Sequence, residues 1–250
     1  MSASLKLVCL NIEKNRHFER VIPFLLEQMP DVFCVQEIYE SSVTTIAKVL
    51  MATEYVYVPM TGRPTESPPE IQGIAIFSRL PIRGSKTHYY VGTPESVPES
   101  NDHDPLTWNA NNRMVIVCEI EKEEEIFRIC TTHFTWSERG TRTDKQMHDM
   151  DELLKVLGSL GEFVLCGDFN VSRGRTLFGM LARRYKDNVP LHYKTSLDLE
   201  LHRAAKLRRH EIENKMVDGI FSTPEYEVSN VEMISGVSDH RALVATVSRT

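Results

Sequence analysis

Leu165-Cys166-Gly167-Asp168-Phe169-Asn170-Val171 is the stretch on which the reading of this chain turns. Phe163, Val164 and Leu165 read as the end of a buried strand. Gly167 lets the backbone turn. Asp168 and Asn170 then leave on one side with a single apolar residue between them, because extended side chains alternate. A carboxylate and a carboxamide at a strand exit suit a water, a metal ion or a phosphate oxygen. A Gly-Asp turn is also an ordinary structural feature. The weight comes from three further strand ends that carry polar residues of the same kind: Asn11, Glu37 and Asp239-His240.

Outward from that stretch, the apolar runs are strand-like. Leu5–Leu10 is a buried strand ending at Asn11, and Val32–Val35 is another ending at Gln36-Glu37. Between them His17–Met29 has apolar residues at helical spacing, with Pro23 in its first turns. If the two strands are parallel neighbours, Asn11 and Glu37 lie at one end of the sheet. Ser41–Met51 reads as a helix capped by Ser41 or Ser42, Tyr55–Val58 as a strand, Thr61–Glu70 as a loop and Gly73–Phe77 as a strand. Lys86–Val91 is an edge strand. Gly92–Trp108, with three prolines and four acidic residues, is a long loop of the kind that is usually functional or disordered. Arg113–Ile120 and Ile126–Thr132 form a hairpin with a charged tip. Thr143–Leu157, Leu177–Arg184 and Leu197–His210 read as helices, and Met216–Phe221, Val228–Ile234 and Ala242–Val247 as strands. The expectation is one domain over residues 1–250 of α+β (mixed α/β) class, with two mostly antiparallel sheets packed face to face and helices outside.

The composition is that of a globular protein, 41% hydrophobic and 26% charged over 250 residues, and is large enough for a full core. The five cysteines lie in or beside apolar runs with no C-x-x-C pair, which points to reduced core residues and a cytoplasmic protein. No signal peptide or membrane span is expected. The net charge of −6 argues against broad non-specific nucleic-acid binding. From Ser172 to Met216, however, 11 Lys+Arg stand against 5 Asp+Glu, either a solvated face or a cationic lip for a phosphate-bearing substrate.

Asp218 lies inside an apolar run, where a carboxylate is costly unless paired. His240 is the candidate partner, leaving its other ring nitrogen free to take a proton from water. No nucleophile elbow is present, so the chemistry runs through water. Glu37, Asp239 and the amide oxygen of Asn11 make a hard oxygen set suited to Mg²⁺ or Mn²⁺.

The blocks Val8–Asn11, Pro30–Glu37, Gly73–Ser78, Asn112-Arg113, Thr132-His133, Gly167–Asn170, Asp218 and Ser238–His240, in that order, resemble the endonuclease/exonuclease/phosphatase superfamily of metal-dependent phosphoesterases. The resemblance implies a four-layer α/β sandwich with the site at one end of two facing sheets. It implies Glu37 as main metal ligand with Asn11 and Asp239 beside the ion, His240 as base or water-positioning group oriented by Asp218, and Asp168 aligning the water or serving the leaving group. Asn170 and His133 would hold phosphate oxygens, and Asn112 and Arg113 would face the substrate. It departs at Leu10, where many members have Trp. A Mg²⁺-dependent phosphodiesterase acting on DNA, RNA or their adduct ends is the leading expectation. Lipid, inositol or nucleotide phosphoesters are an alternative, and an idle binding scaffold is another. Trp108 and Trp136 lie in or beside exit loops, where packing competes with stacking on a base.

Overall fold

A computed structural model describes residues 3–250. Strand β1 (Ser4–Asn11) leads through helix α1 (Phe18–Gln28) to β2 (Val32–Tyr39), helix α2 (Glu40–Leu50), β3 (Glu54–Arg63), β4 (Glu70–Ser78) and β5 (Ile82–Val91). The hairpin of β6 (Arg113–Lys122) and β7 (Glu125–His133) precedes α3 (Asp144–Gly158), β8 (Val164–Asp168), α4 (Thr176–Ala182) and the short β9 (Lys186–Asp187). Helix α5 (Ala205–Ile212), β10 (Asp218–Ser222), β11 (Tyr226–Ile234) and β12 (Ala242–Arg249) complete the chain.

Two six-stranded sheets result, with orders β11-β12-β1-β2-β4-β3 and β5-β6-β7-β8-β10-β9. Each is antiparallel except for one central parallel pair, β1–β2 in the first and β7–β8 in the second. Leu5, Leu7 and Cys9 of β1 meet Ile116, Ile129, Cys166 and Ile220 of the opposite sheet in the layer between the sheets. Val8 and Leu10 point the other way, into the layer under α1 and α2. Phe163 and Leu165 do the same under α3 and α4. Both faces of the central strands are therefore buried, and this is why they read as unbroken apolar runs. The architecture is the expected four-layer α/β sandwich, two sheets face to face with helices outside.

Several boundaries differ from the sequence reading. Strand β3 continues to Arg63, so the loop predicted over Thr61–Glu70 shrinks to its centre. Helix α2 begins at Glu40 with Tyr39 as its cap, and neither Ser41 nor Ser42 caps it; Ser41 Oγ instead donates to Glu70 Oε1 at 2.7 Å. Pro23 falls in the second turn of α1, where it removes one backbone donor. The helix predicted over Leu197–His210 forms only from Ala205. Upstream, Asp198 Oδ1 accepts from the amides of Glu200 and Leu201, Oδ2 from that of Gly236, and His202 N donates to Asp198 O, a capped single turn that does not run on into α5. Gly167 is not a turn residue but an interior position of β8, paired with Thr132 and Gly219. A Cβ there would stand 2.0 Å from the Thr132 carbonyl oxygen, so the strands pack this closely only around glycine.

The long loop after β5 is ordered by its neighbours. Gly62 N donates to Pro98 O, Ser100 N to Gly62 O, and Thr61 Oγ1 to Pro98 O and Ala110 O. All five cysteines are buried and unpaired. Among the described residues no helix is long and apolar enough to cross a membrane.

Candidate active site

The two parallel pairs end at the same place. Asn11 closes β1, Glu37 sits near the end of β2, and His133 closes β7 beside Asp168 of β8, with which it is in register. Asn11 Nδ2 donates to Glu37 Oε1 at 3.1 Å within its own sheet and to Asp168 Oδ2 at 3.2 Å across the sandwich. The two sheets thus meet through side chains that the sequence places on different strands far apart in the chain.

Glu37 reaches the site through a bulge. The pairing of β2 with β4 jumps between Gln36 and Ile38, leaving Glu37 unopposed with φ 61°. A left-handed backbone at a residue other than glycine costs on the order of 1 kcal/mol and is held in place by the surrounding structure. Here Gln36 supplies part of that hold. It is 0% exposed, and its Nε2 crosses the core to donate to Thr131 Oγ1 at 2.9 Å. Thr131 Oγ1 in turn donates to Cys166 O at 3.0 Å.

Asp168 is the hub. Its Oδ2 lies 3.4 Å from His133 Nε2 and 3.8 Å from His240 Nε2, and its Oδ1 accepts from the Asn170 amide at 2.8 Å. Burial alone would raise its pKa, but the His240 and His133 imidazoles hold it well below the usual carboxylate range. Asn170, with φ 52°, donates from Nδ2 to Phe134 O at 2.9 Å, which fixes the chain leaving β7.

Asp218 opens β10 opposite Asp168, and its Oδ2 lies 2.8 Å from His240 Nδ1. Ser196 Oγ accepts from the amides of both Val217 and Asp218, pinning the strand start. Burial raises the pKa of Asp218. Burial opposes a charged His240, yet Asp218 and Asp168 on either side raise its pKa well above the ordinary imidazole range. Burial, with the Glu13 and Glu37 charges nearby, pushes Asp239 up to about 7.

Seven of the ten residues singled out from sequence, namely Glu37, Arg113, His133, Asp168, Asn170, Asp239 and His240, line one cavity of about 590 Å³, and Asn11 is bonded to Glu37 and Asp168 behind it. Asp218 stands directly behind His240. Asn112 does not join them: its Nδ2 is spent on Thr93 O at 3.0 Å and Ser96 O at 2.6 Å, holding the long loop. Arg113 is buried and donates from Nη1 to His133 O at 2.9 Å. The amide oxygen of Asn11, offered from sequence as a metal ligand, accepts from the Glu13 amide at 3.0 Å, so Asn11 meets the carboxylates through its nitrogen.

Sequence reasoning missed Gln36, Glu13 and His17. Gln36 was legible as a lone carboxamide at the end of an apolar strand. Glu13 and His17 sit 3.1 Å apart, and with Asp239 they offer three ligand atoms within 4.8 Å of one another. Periodicity gave no signal for either, because Glu13 follows the strand in a left-handed turn. Glu37 and Asp239 face the cavity with no Lys or Arg paired to either among the described residues. Such a pair of carboxylates, with Glu13 near, is the donor chemistry of a hard divalent cation.

The endonuclease/exonuclease/phosphatase family model matches residues 8–240, which includes every residue of this cluster. The chain belongs to the endonuclease/exonuclease/phosphatase family. Among solved structures, an endonuclease/exonuclease/phosphatase from Bacteroides vulgatus is 16% identical, covers 99% of this chain and 100% of its own, and superposes with a TM-score of 0.73. One from Beutenbergia cavernae DSM 12333 is 15% identical over 98% of this chain and 72% of its own, with a TM-score of 0.74. The human Nocturnin catalytic domain with bound sulfate anion is 15% identical over 100% and 97%, with a TM-score of 0.67. At these identities the likeness establishes the fold. No curated protein sequence matches the chain. Family membership supports a phosphoester hydrolase.

Proposed function

We propose that the protein is a divalent-metal-dependent phosphodiesterase, with Mg²⁺ or Mn²⁺ as its ion and a nucleic acid or a nucleic-acid adduct end as its substrate. The observation that carries this reading is the buried Asp218–His240–Asp168 line opening on the same cavity as Glu37 and Asp239, which no Lys or Arg neutralises among the described residues.

In this reading Glu37 and Asp239 hold the cation, Asn11 fixes the Glu37 carboxylate, and Glu13 is a further donor. A bound divalent ion supplies Lewis-acid stabilisation of charge on the phosphoryl oxygens. Asp218 fixes which ring nitrogen of His240 faces the cavity. While both flanking carboxylates are charged, His240 is the imidazolium, suited to hydrogen-bonding a phosphate oxygen; with that proton lost, its Nε2 is the base that orients water. Asp168 lies between the two imidazoles, placed to align the attacking water or serve the leaving oxygen. His133 and the amide of Asn170 hold phosphate oxygens as charge develops. Arg113 acts from behind, through the His133 carbonyl, and Asn112 through the loop.

The test is an end-labelled single-stranded and duplex oligonucleotide, incubated with Mg²⁺ and then EDTA, with the wild type and His240→Ala. Mg²⁺-dependent cutting that the variant loses supports the reading. An intact oligonucleotide beside hydrolysis of inositol, lipid or nucleotide phosphoesters would move the substrate class. No turnover of any phosphoester would favour an idle scaffold.

A further inference from the structure

One wall of the cavity carries groups that the proposed chemistry does not use. Trp108, from the long loop, and Trp136, three residues beyond His133, meet edge to face with ring centroids 5.7 Å apart. Trp108 remains 37% exposed, and its Nε1 donates to Asp102 O at 3.1 Å, so the ring is held in one orientation. The backbone before Trp136 is equally fixed: Gln146 Nε2 donates to Thr135 O at 2.8 Å, and Thr135 Oγ1 to Asp149 Oδ2 at 2.6 Å. Three extended residues span at most about 11 Å, so Trp136 cannot stand far from His133.

Next to this pair, Ser137 Oγ is buried on the cavity wall with no hydrogen-bond partner. Beyond it, Arg139, Arg203 and Lys215 line the cavity, and no ion pair joins any of the three to a carboxylate among the described residues. Lys215 Nζ donates to Arg139 O at 3.1 Å, tying the two segments together. Burial, with Arg208 and Arg139 nearby and against the pull of Glu211, pushes the Lys215 ammonium below its ordinary range. Of the other cations of the cleft, Lys14 pairs with Glu66 and Asp102, Arg63 with Asp102, Arg16 with Glu13 and Arg208 with Glu211, while Arg113 is turned to the His133 carbonyl.

We infer that this wall is a subsite for a nucleotide next to the scissile phosphate, its base stacked against Trp108 and Trp136. Ser137 would donate to that nucleotide and Arg139, Arg203 and Lys215 would hold the following phosphate. The inference rests on the phosphodiesterase reading and deepens it by naming a single-stranded nucleic-acid end. Ordered aromatic faces beside unpaired cations are the pattern that grips a single strand whatever its sequence. The exposed Leu106 and Leu207, at 94% and 86%, would suit a lipid surface instead. They are single residues, and the fixed rings with the free hydroxyl point the other way.

Trp108 and Trp136 are the only two tryptophans of the chain, so intrinsic tryptophan fluorescence reports on this wall alone. The full chain in EDTA, which blocks turnover, is titrated with a short oligothymidylate, with the same backbone bearing abasic residues, with inorganic phosphate and with phosphatidylserine vesicles. Oligothymidylate is expected to change the emission and to bind about tenfold or more tightly than the abasic chain. Arg139→Ala should weaken that binding and flatten its salt dependence. Equal binding of the abasic chain overturns the stacking subsite. A response to vesicles but not to oligothymidylate replaces it with a lipid-facing surface, and silence to all probes removes it. Hydrolysis of bis(4-nitrophenyl) phosphate with Mg²⁺ is measured in parallel. Turnover without an oligothymidylate response leaves the phosphodiesterase standing and sinks this inference. A response without turnover keeps a nucleic-acid-binding wall but sinks the phosphodiesterase reading, and with it the place of this wall beside a scissile phosphate.

Discussion

His240 Nδ1 lies 2.8 Å from Asp218 Oδ2, with both residues buried, so the orientation of the imidazole is set from behind the cavity. Asp218→Asn keeps the shape but offers an NH₂ or a carbonyl where a carboxylate stood. The ring then loses the partner that fixes its tautomer. The expected outcome is a fall in kcat of about 10²–10⁴-fold with KM little changed. Steady-state kinetics on an oligonucleotide, beside an unchanged far-UV circular dichroism spectrum, checks it. Equal loss from KM alone would assign Asp218 to binding.

Gly167 offers a purely steric test. The Cβ of Gly167→Ala would meet three backbone atoms of Thr132, the carbonyl oxygen at 2.0 Å. Backbone on a central parallel pair cannot yield without opening the ladder that holds His133 opposite Asp168. The variant should lose about 1–3 kcal/mol of stability or more, read from urea unfolding, and most of its activity. A stable, active Gly167→Ala would show that the strands can separate there at little cost.

The same region shows what the sequence could and could not reveal. Central strands were legible because both of their faces are buried, and the polar residues ending them stood out against apolar runs. The reason for Gly167 was not, because a close approach to Thr132 depends on a strand over thirty residues away. Leu197–His210 has helical spacing, but the turn that Asp198 caps stops short, and the helix proper starts only at Ala205. Asn112 stands in a motif, yet the motif says nothing of the Thr93 and Ser96 carbonyls that occupy it. Glu13 escaped notice because it follows the strand in a left-handed turn, with φ 43° at Glu13 and 69° at Lys14, which no periodicity describes.

Gln36 joins the two sheets through Thr131, next to the bulge that aims Glu37. Gln36→Leu retains bulk but leaves Thr131 Oγ1 without its donor. A loss of about 1–3 kcal/mol in unfolding free energy is expected. Activity should fall further than stability accounts for, since the bulge loses its neighbour's anchor. A leucine variant with wild-type kcat would make Gln36 a core residue with no bearing on Glu37.

His202 gives a pH dependence with a definite sign. Burial, with the charges of His240, Arg203 and Lys215 around it, lowers its pKa from 6.5 to about 4. Above pH 6.5 the ring is neutral in folded and unfolded chains alike and contributes no slope. Between pH 6.5 and 4 the unfolded chain takes up a proton that the folded one refuses, so stability falls with pH; below about 4 the loss is complete. His202→Gln should flatten this part of the profile. Denaturant midpoints of both proteins at pH 7.5, 5.5 and 4.5 measure the difference, and parallel profiles would deny the burial of a neutral ring.

Removal of the ion should separate Glu37 from the rest of the site. Burial, with the Glu13 and Glu37 charges nearby, raises Asp239 to about 7, while, against the cost of burial, His133, Asn11 and His240 hold Glu37 below its ordinary range. A cation that binds them favours the folded chain by RT ln(1 + [L]/Kd), about 2.7 kcal/mol at a hundredfold excess over Kd. Wild-type protein should therefore gain in melting temperature on adding Mg²⁺, and EDTA should reverse the gain and abolish turnover. Glu37→Gln removes a charge that His133 and Asn11 stabilise, so the variant in EDTA should be no more stable than the wild type, and its Mg²⁺-dependent gain disappears. The outcome that moves the site is a Mg²⁺ gain that survives Glu37→Gln but is lost in Glu13→Gln. The ion would then be held by the Glu13, His17 and Asp239 group, and Glu37 would face the substrate directly.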